Sequence, residues 1–160
     1  METPKAYISF NYEKNSNEKT QFLDLLKKSN INLIIDGFTS APTYPDNQWQ
    51  NVISDKINYC NMLIVLVSKS TTEQKWVQKE VNAALSQAVP VFGVYVDGAD
   101  NTTTLPQGLG RERVVNLNAS EISNQIKKVM SEGKNESLLD YKKVGSQAAG
   151  QAMGQNTGGV

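Results

Sequence analysis

The sequence predicts a doubly wound α/β domain, and two observations carry that prediction. Short β-branched or aromatic runs alternate with longer amphipathic segments along the chain, the pattern of a parallel sheet with helices on both faces. One of those runs, MLIVLV at Met62 to Val67, is apolar without alternation, so it is covered on both faces and belongs at the centre of the sheet. A chain of 160 residues suits one compact domain with a tail.

The first strand is expected at Ala6 to Phe10 (AYISF), followed by an amphipathic helix over Glu18 to Lys28. A second apolar run, Asn32 to Ile35, gives strand two, and Gln48 to Tyr59 reads as the next helix. Met62 to Val67 is strand three, with a helix over Glu73 to Ala88 behind it. Strand four is Val91 to Val96 (VFGVYV), strand five Val114 to Leu117, and a last helix covers Glu121 to Ser131. Five strands with four or five helices make a flavodoxin-like domain. With strand three central, strands one and four are its neighbours and the order is 2-1-3-4-5.

The domain is expected to span residues 1–132. From Gly133 the composition changes: KNESLLDYKKV adds a short helical extension, and SQAAGQAMGQNTGGV is a Gly/Gln/Ala-rich segment with too little apolar surface to pack, so 133–160 reads as a flexible tail.

Sixteen basic residues balance sixteen acidic ones, so no field draws the chain to nucleic acid or an anionic membrane. No apolar run reaches the length of a membrane span, and the N-terminus METPKAYISF lacks the layout of a signal peptide, so a cytoplasmic protein is expected. The single cysteine, Cys60, forms no internal disulfide and reads as a small core residue. Histidine is absent, which removes Ser-His-Asp and Cys-His nucleophile systems, imidazole bases and nearly all zinc sites. No metal is expected; any catalysis must use carboxylates, hydroxyls, amides, lysine or backbone.

In the segment KWVQKEVNAAL, Lys75 to Leu85, helical spacing places Val77, Val81, Ala84 and Ala88 within a sector of about 60°. Trp76 and Glu80, one turn apart, fall just off its edge, where a core face meets solvent. Ligands of open α/β sheets bind outside the carboxyl ends of the strands where the order reverses, here between strands one and three. The loops at that point contain Ser9, Phe10 and Asn11, the stretch from Asp36, and Ser68 to Ser70; the helix bearing Trp76 and Glu80 starts beside them. The turn after strand one has no glycine to cradle a flavin phosphate, strand three does not end in a phosphorylatable Asp, and neither GxGxxG nor GxxxxGK[ST] occurs.

The succession KAYISFNYEK, IIDGFTSAPTYPDNQW and INYCNMLIVLVSKSTTEQKWVQKEVNAALSQAVPVFGVYV resembles the bacterial Toll/interleukin-1 receptor (TIR)-like domain family, and within it is most similar to the TIR-like sensor subunits of Thoeris antiphage defence. The resemblance covers Lys5 to Val96 well and Leu105 to Met130 loosely; W-x-x-x-E is its most specific element. It implies an enzyme that cleaves the nicotinamide-ribose bond of NAD+, the substrate rather than a cofactor, and releases an ADP-ribose-type signal, the cyclic form favoured. By the same resemblance Glu80 is the catalytic glutamate, Trp76 the aromatic one turn before it, Phe10 and Asn11 line the nicotinamide end of the cleft, and Asp36 and Trp49 flank a loop over Gly37 to Gln48. Trp76 and Phe10 together would wall off water. A homo-oligomer when active and a separate effector that senses the product are further implications.

Two alternatives stay open: a non-catalytic TIR-like scaffold, and an enzyme like the nucleoside deoxyribosyltransferases, which would use Glu80 as a covalent nucleophile.

Overall fold

The computed structural model describes residues 3–133; the extension and tail expected at 133–160 lie outside them, apart from Gly133. The strands β1 (Lys5–Ser9), β2 (Ile34–Phe38), β3 (Met62–Val67), β4 (Val91–Tyr95) and β5 (Val114–Val115) form one sheet in the order β2-β1-β3-β4-β5. All four pairings are parallel. Every residue of β3 is buried, as its unbroken apolar run requires.

Helices α1 (Ser16–Lys28) and α4 (Ala119–Glu132) cover one face through Phe22, Leu26, Ile122, Ile126 and Val129. Helices α2 (Asp46–Asn58) and α3 (Lys75–Ser86) cover the other through Ile53, Ile57, Trp76, Val77, Val81 and Ala84. Between β4 and β5 the chain makes only a 3₁₀ turn, Arg111–Arg113. Among the described residues no helix is long and apolar enough to cross a membrane.

The boundaries depart from the apolar pattern in places that bear on function. The helix expected from Glu73 to Ala88 is shorter. Thr71–Glu73 form a separate 3₁₀ turn, and Gln74 is extended at φ −97° and ψ 109°, its side chain accepting from the Trp76 N–H. At the other end Ala88 takes φ 61°; Val89 N–H bonds Ala84 C=O and Ala88 N–H bonds Leu85 C=O, a Schellman closure. Ala88 is buried, but as the helix cap rather than the end of its stripe.

Strand two was expected at Asn32 to Ile35 and runs from Ile34 to Phe38. Asp36-Gly37 resembles a turn in sequence, yet Gly37 pairs with Tyr7 and is needed there because a Cβ at 37 would lie 2.8 Å from Tyr7 Cδ2. Strand five, expected to reach Leu117, stops at Val115.

Candidate functional site

Period-two alternation on β1 sends Tyr7 and Ser9 to the same face of the sheet, toward α3. There they meet Glu80. Tyr7 Oη donates to Glu80 Oε2 at 2.6 Å, Ser9 Oγ donates to Oε1 at 2.7 Å, and Thr39 Oγ1, directly after β2, donates to Oε1 at 2.5 Å. Thr39 also accepts the Phe10 N–H at 3.0 Å, so the start of the loop after β2 is bonded both to β1 and to the carboxylate.

Glu80 is 0% exposed and Trp76 2%. The expectation that they sit at a solvent edge is therefore corrected. The stripe alone underestimates what α3 buries, because α2 packs beside it and Thr39 covers its flank. Burial pushes the Glu80 carboxyl up to about 7, against hydrogen bonds from Thr39, Tyr7 and Ser9 that pull it down. Burial, reinforced by the neighbouring Glu80 charge, raises the Tyr7 phenol well above its ordinary range, so it acts as a neutral donor.

Trp76 packs in the same layer as Tyr7, with the Lys75 and Lys79 ammonium groups 5.5 and 5.6 Å from its ring centroid. Outside it opens a cleft of about 420 Å³ lined by Tyr12, Glu13, Pro42, Glu73, Gln74, Lys75 and Trp76. A larger cavity, about 930 Å³, lies at the opposite end of β1 and β2, between residues 29–32 and α4. Its only ionisable side chain is Lys127.

The other expected site residues divide. Ser9 joins Glu80 directly. Phe10 does not share a wall with Trp76: it packs on the opposite face with Phe22 and Ile122, because alternation turns it away from Tyr7 and Ser9. Asn11 holds the loop after β1, its Oδ1 accepting from the Glu13 and Lys14 N–H groups and its Nδ2 donating to Ser70 O. Ser68 donates to Asn15 Oδ1 at 2.7 Å, and its N–H is bonded to Thr71 Oγ1; this buried cluster ties α1 to the end of β3 and is separate from the Glu80 bonds. Asp36 is exposed within β2 and makes none of the bonds around Glu80. Trp49 is half-buried in α2 against the layer holding Trp76, 6.1 Å from the Tyr44 ring, and its Nε1 is buried with no partner.

Sequence reasoning missed Tyr7 and Thr39. Tyr7 was recoverable, since it lies two residues before Ser9 on one strand. Thr39 was not, because its position depends on where β2 ends. Among the described residues no group of three His, Cys, Asp or Glu side chains could hold a metal.

The 2-1-3-4-5 parallel sheet has a carboxylate on its third helix, an aromatic one turn earlier, and both beside the point where strand order reverses, an arrangement that a TIR-like domain shares. The family model described as Thoeris protein ThsB, TIR-like domain, matches residues 7–101, more than half of the chain, and the chain belongs to that family of antiphage defence. Tyr7, Ser9, Thr39, Trp76 and Glu80 all fall inside the matched region. No curated protein gives a significant match.

Proposed function

We propose that the domain cleaves the nicotinamide-ribose bond of NAD+ and releases an ADP-ribose-type product, with Glu80 as the catalytic carboxylate. The observation that carries this reading is Glu80 itself, a buried carboxylate oriented by Tyr7, Ser9 and Thr39, one helical turn from Trp76, which helps line a cleft. When the C1′–N bond breaks, its electron pair leaves with nicotinamide as a neutral base, so no acid is needed and the lack of histidine is no obstacle. The ribose becomes oxocarbenium-like. An ionised Glu80 placed against the sugar stabilises that charge more in the transition state than in the ground state. Capture by water gives linear ADP-ribose, and capture by an adenine nitrogen gives a cyclic product, the form we favour.

The carboxylate is fully covered, so in this reading the cover must withdraw before substrate reaches it, and we assign that movement to the loop that begins at Thr39. Self-association is one source of that rearrangement, and a separate effector that binds the product completes the reading.

A scaffold is the second reading, because the bonds from Tyr7, Ser9 and Thr39 would equally satisfy a purely structural buried carboxylate. The experiment that separates the two compares wild type and Glu80→Gln at high protein concentration with NAD+, following free nicotinamide. Release by wild type alone supports the catalytic reading, whereas no release by either, or equal release by both, defeats it.

A further inference from the structure

Tyr7 has one hydroxyl proton and two acceptors within reach. Its Oη lies 2.6 Å from Glu80 Oε2 and 3.1 Å from the Phe38 carbonyl oxygen, so the proton serves one of them at a time. The ring is 2% exposed and lies against the Gly37 backbone, which leaves rotation of the O–H as its free motion. The two oxygens of Glu80 are also unequal. Oε1 accepts from both Ser9 and Thr39, whereas Oε2 has Tyr7 alone.

We propose that Tyr7 is a positioning residue that lets Glu80 change protonation state inside its pocket, donating to Oε2 while Glu80 is ionised and turning its O–H to the Phe38 carbonyl, as acceptor of a proton on Oε2, while Glu80 is neutral. The inference rests on the reading of Glu80 as the reacting carboxylate. Both states keep every polar group bonded: Oε1 remains an acceptor throughout, the incoming proton resides on Oε2, and the Tyr7 proton moves from one acceptor to the other. A buried phenylalanine at this position would leave Oε2 with no partner in either state.

The hydrogen bonds that favour the charged form of Glu80 come from Thr39, Tyr7 and Ser9, in that order, and of these Tyr7 alone reaches Oε2. From β1 and the loop after β2 come only the neutral hydroxyls of Ser9 and Thr39. From the end of α2, Cys60 is the other titratable group beside Tyr7, and the stem of Lys56 runs past Gly37. On α3, Lys75 and Lys79 sit over the Trp76 ring. With the buried carboxyl pushed up to about 7, both states are populated near neutrality.

The test is a titration of the Glu80 carboxyl carbon by NMR in protein labelled at glutamate, with Glu80→Gln identifying the signal. The midpoint expected for wild type is about 7. Tyr7→Phe removes the donor and raises the midpoint by about one pH unit. Replacing Tyr7 by 3-fluorotyrosine keeps the packing but makes the phenol a stronger donor and weaker acceptor, so the midpoint falls; this protein decides the matter if Tyr7→Phe does not fold. Unchanged midpoints in both overturn the inference, as a purely structural Tyr7 predicts. Nicotinamide release is followed over the same pH range. Midpoints that shift in a protein that never releases nicotinamide uphold the link between Tyr7 and Glu80 while defeating the NAD+ reading.

Discussion

Thr39 Oγ1 lies 2.5 Å from Glu80 Oε1, bonding the first residue after β2 to the middle of α3 across 41 positions of sequence. The same hydroxyl receives the Phe10 N–H. Thr39→Val keeps the shape and deletes both bonds. Leaving a buried N–H and a carboxylate oxygen short of partners costs about 1–3 kcal/mol, read as a lower urea midpoint with an unchanged denaturant slope, while Thr39→Ser stays close to wild type.

Stability should depend on pH through Glu80. Its folded carboxyl sits at about 7 against an ordinary 4.5, so between those values the folded state binds more protons than the unfolded one. The stabilisation is complete below about 4.5 and is lost as pH rises through 7, a fall of about 3 kcal/mol. With no histidine in the chain, the window is otherwise quiet. Denaturation of Glu80→Gln across the same range should be nearly flat, and parallel curves for the two proteins would remove Glu80 as the source.

Gly37→Ala places a methyl 2.8 Å from the Tyr7 ring, which is held by its bond to Glu80 and cannot yield freely. The expected loss is about 1–3 kcal/mol, measured by thermal or urea unfolding, together with a displaced Glu80 titration. A fully stable variant with an unmoved titration would mean that the ring has space to shift.

Asp46 at the start of α2 pairs with Lys75 of α3 at 2.8 Å, so the segment that begins at Thr39 is bonded to α3 at both ends. The pair is well exposed, and such pairs contribute little. Asp46→Ala should leave the unfolding midpoint nearly unchanged yet, where withdrawal of the segment limits turnover, raise nicotinamide release about twofold. Decreased release would show that the pair holds the productive arrangement instead.

How much of this was legible beforehand differs between backbone and site. The strand order followed from one unbroken run, Met62 to Val67, because burial on both faces has a plain signature. Glu80 and Trp76 were placed together by helical spacing, but their complete burial was not, since it depends on α2 and Thr39 arriving from elsewhere in the chain. The resemblance puts Phe10 beside Trp76 in the cleft wall, whereas its ring packs on the opposite face of the sheet, because adjacent residues of a strand face opposite ways. Asp36-Gly37 read as the end of a strand because glycine usually marks a turn; here it accommodates a phenol ring from β1.

The proposed withdrawal of Thr39 would leave the crevice one fixed side, the hydroxyl cluster around Ser68, and one side that moves. Ser68 N–H is bonded to Thr71 Oγ1 within a buried set that anchors α1 to β3, whereas Phe10 N–H is bonded to Thr39 Oγ1 on the segment that covers Glu80. Two amides with threonine hydroxyl partners therefore report on different events. In heavy water the Phe10 amide should exchange whenever the cover lifts, and the Ser68 amide only when the domain opens more widely, so the ratio of their rates counts the excursions that uncover the carboxylate.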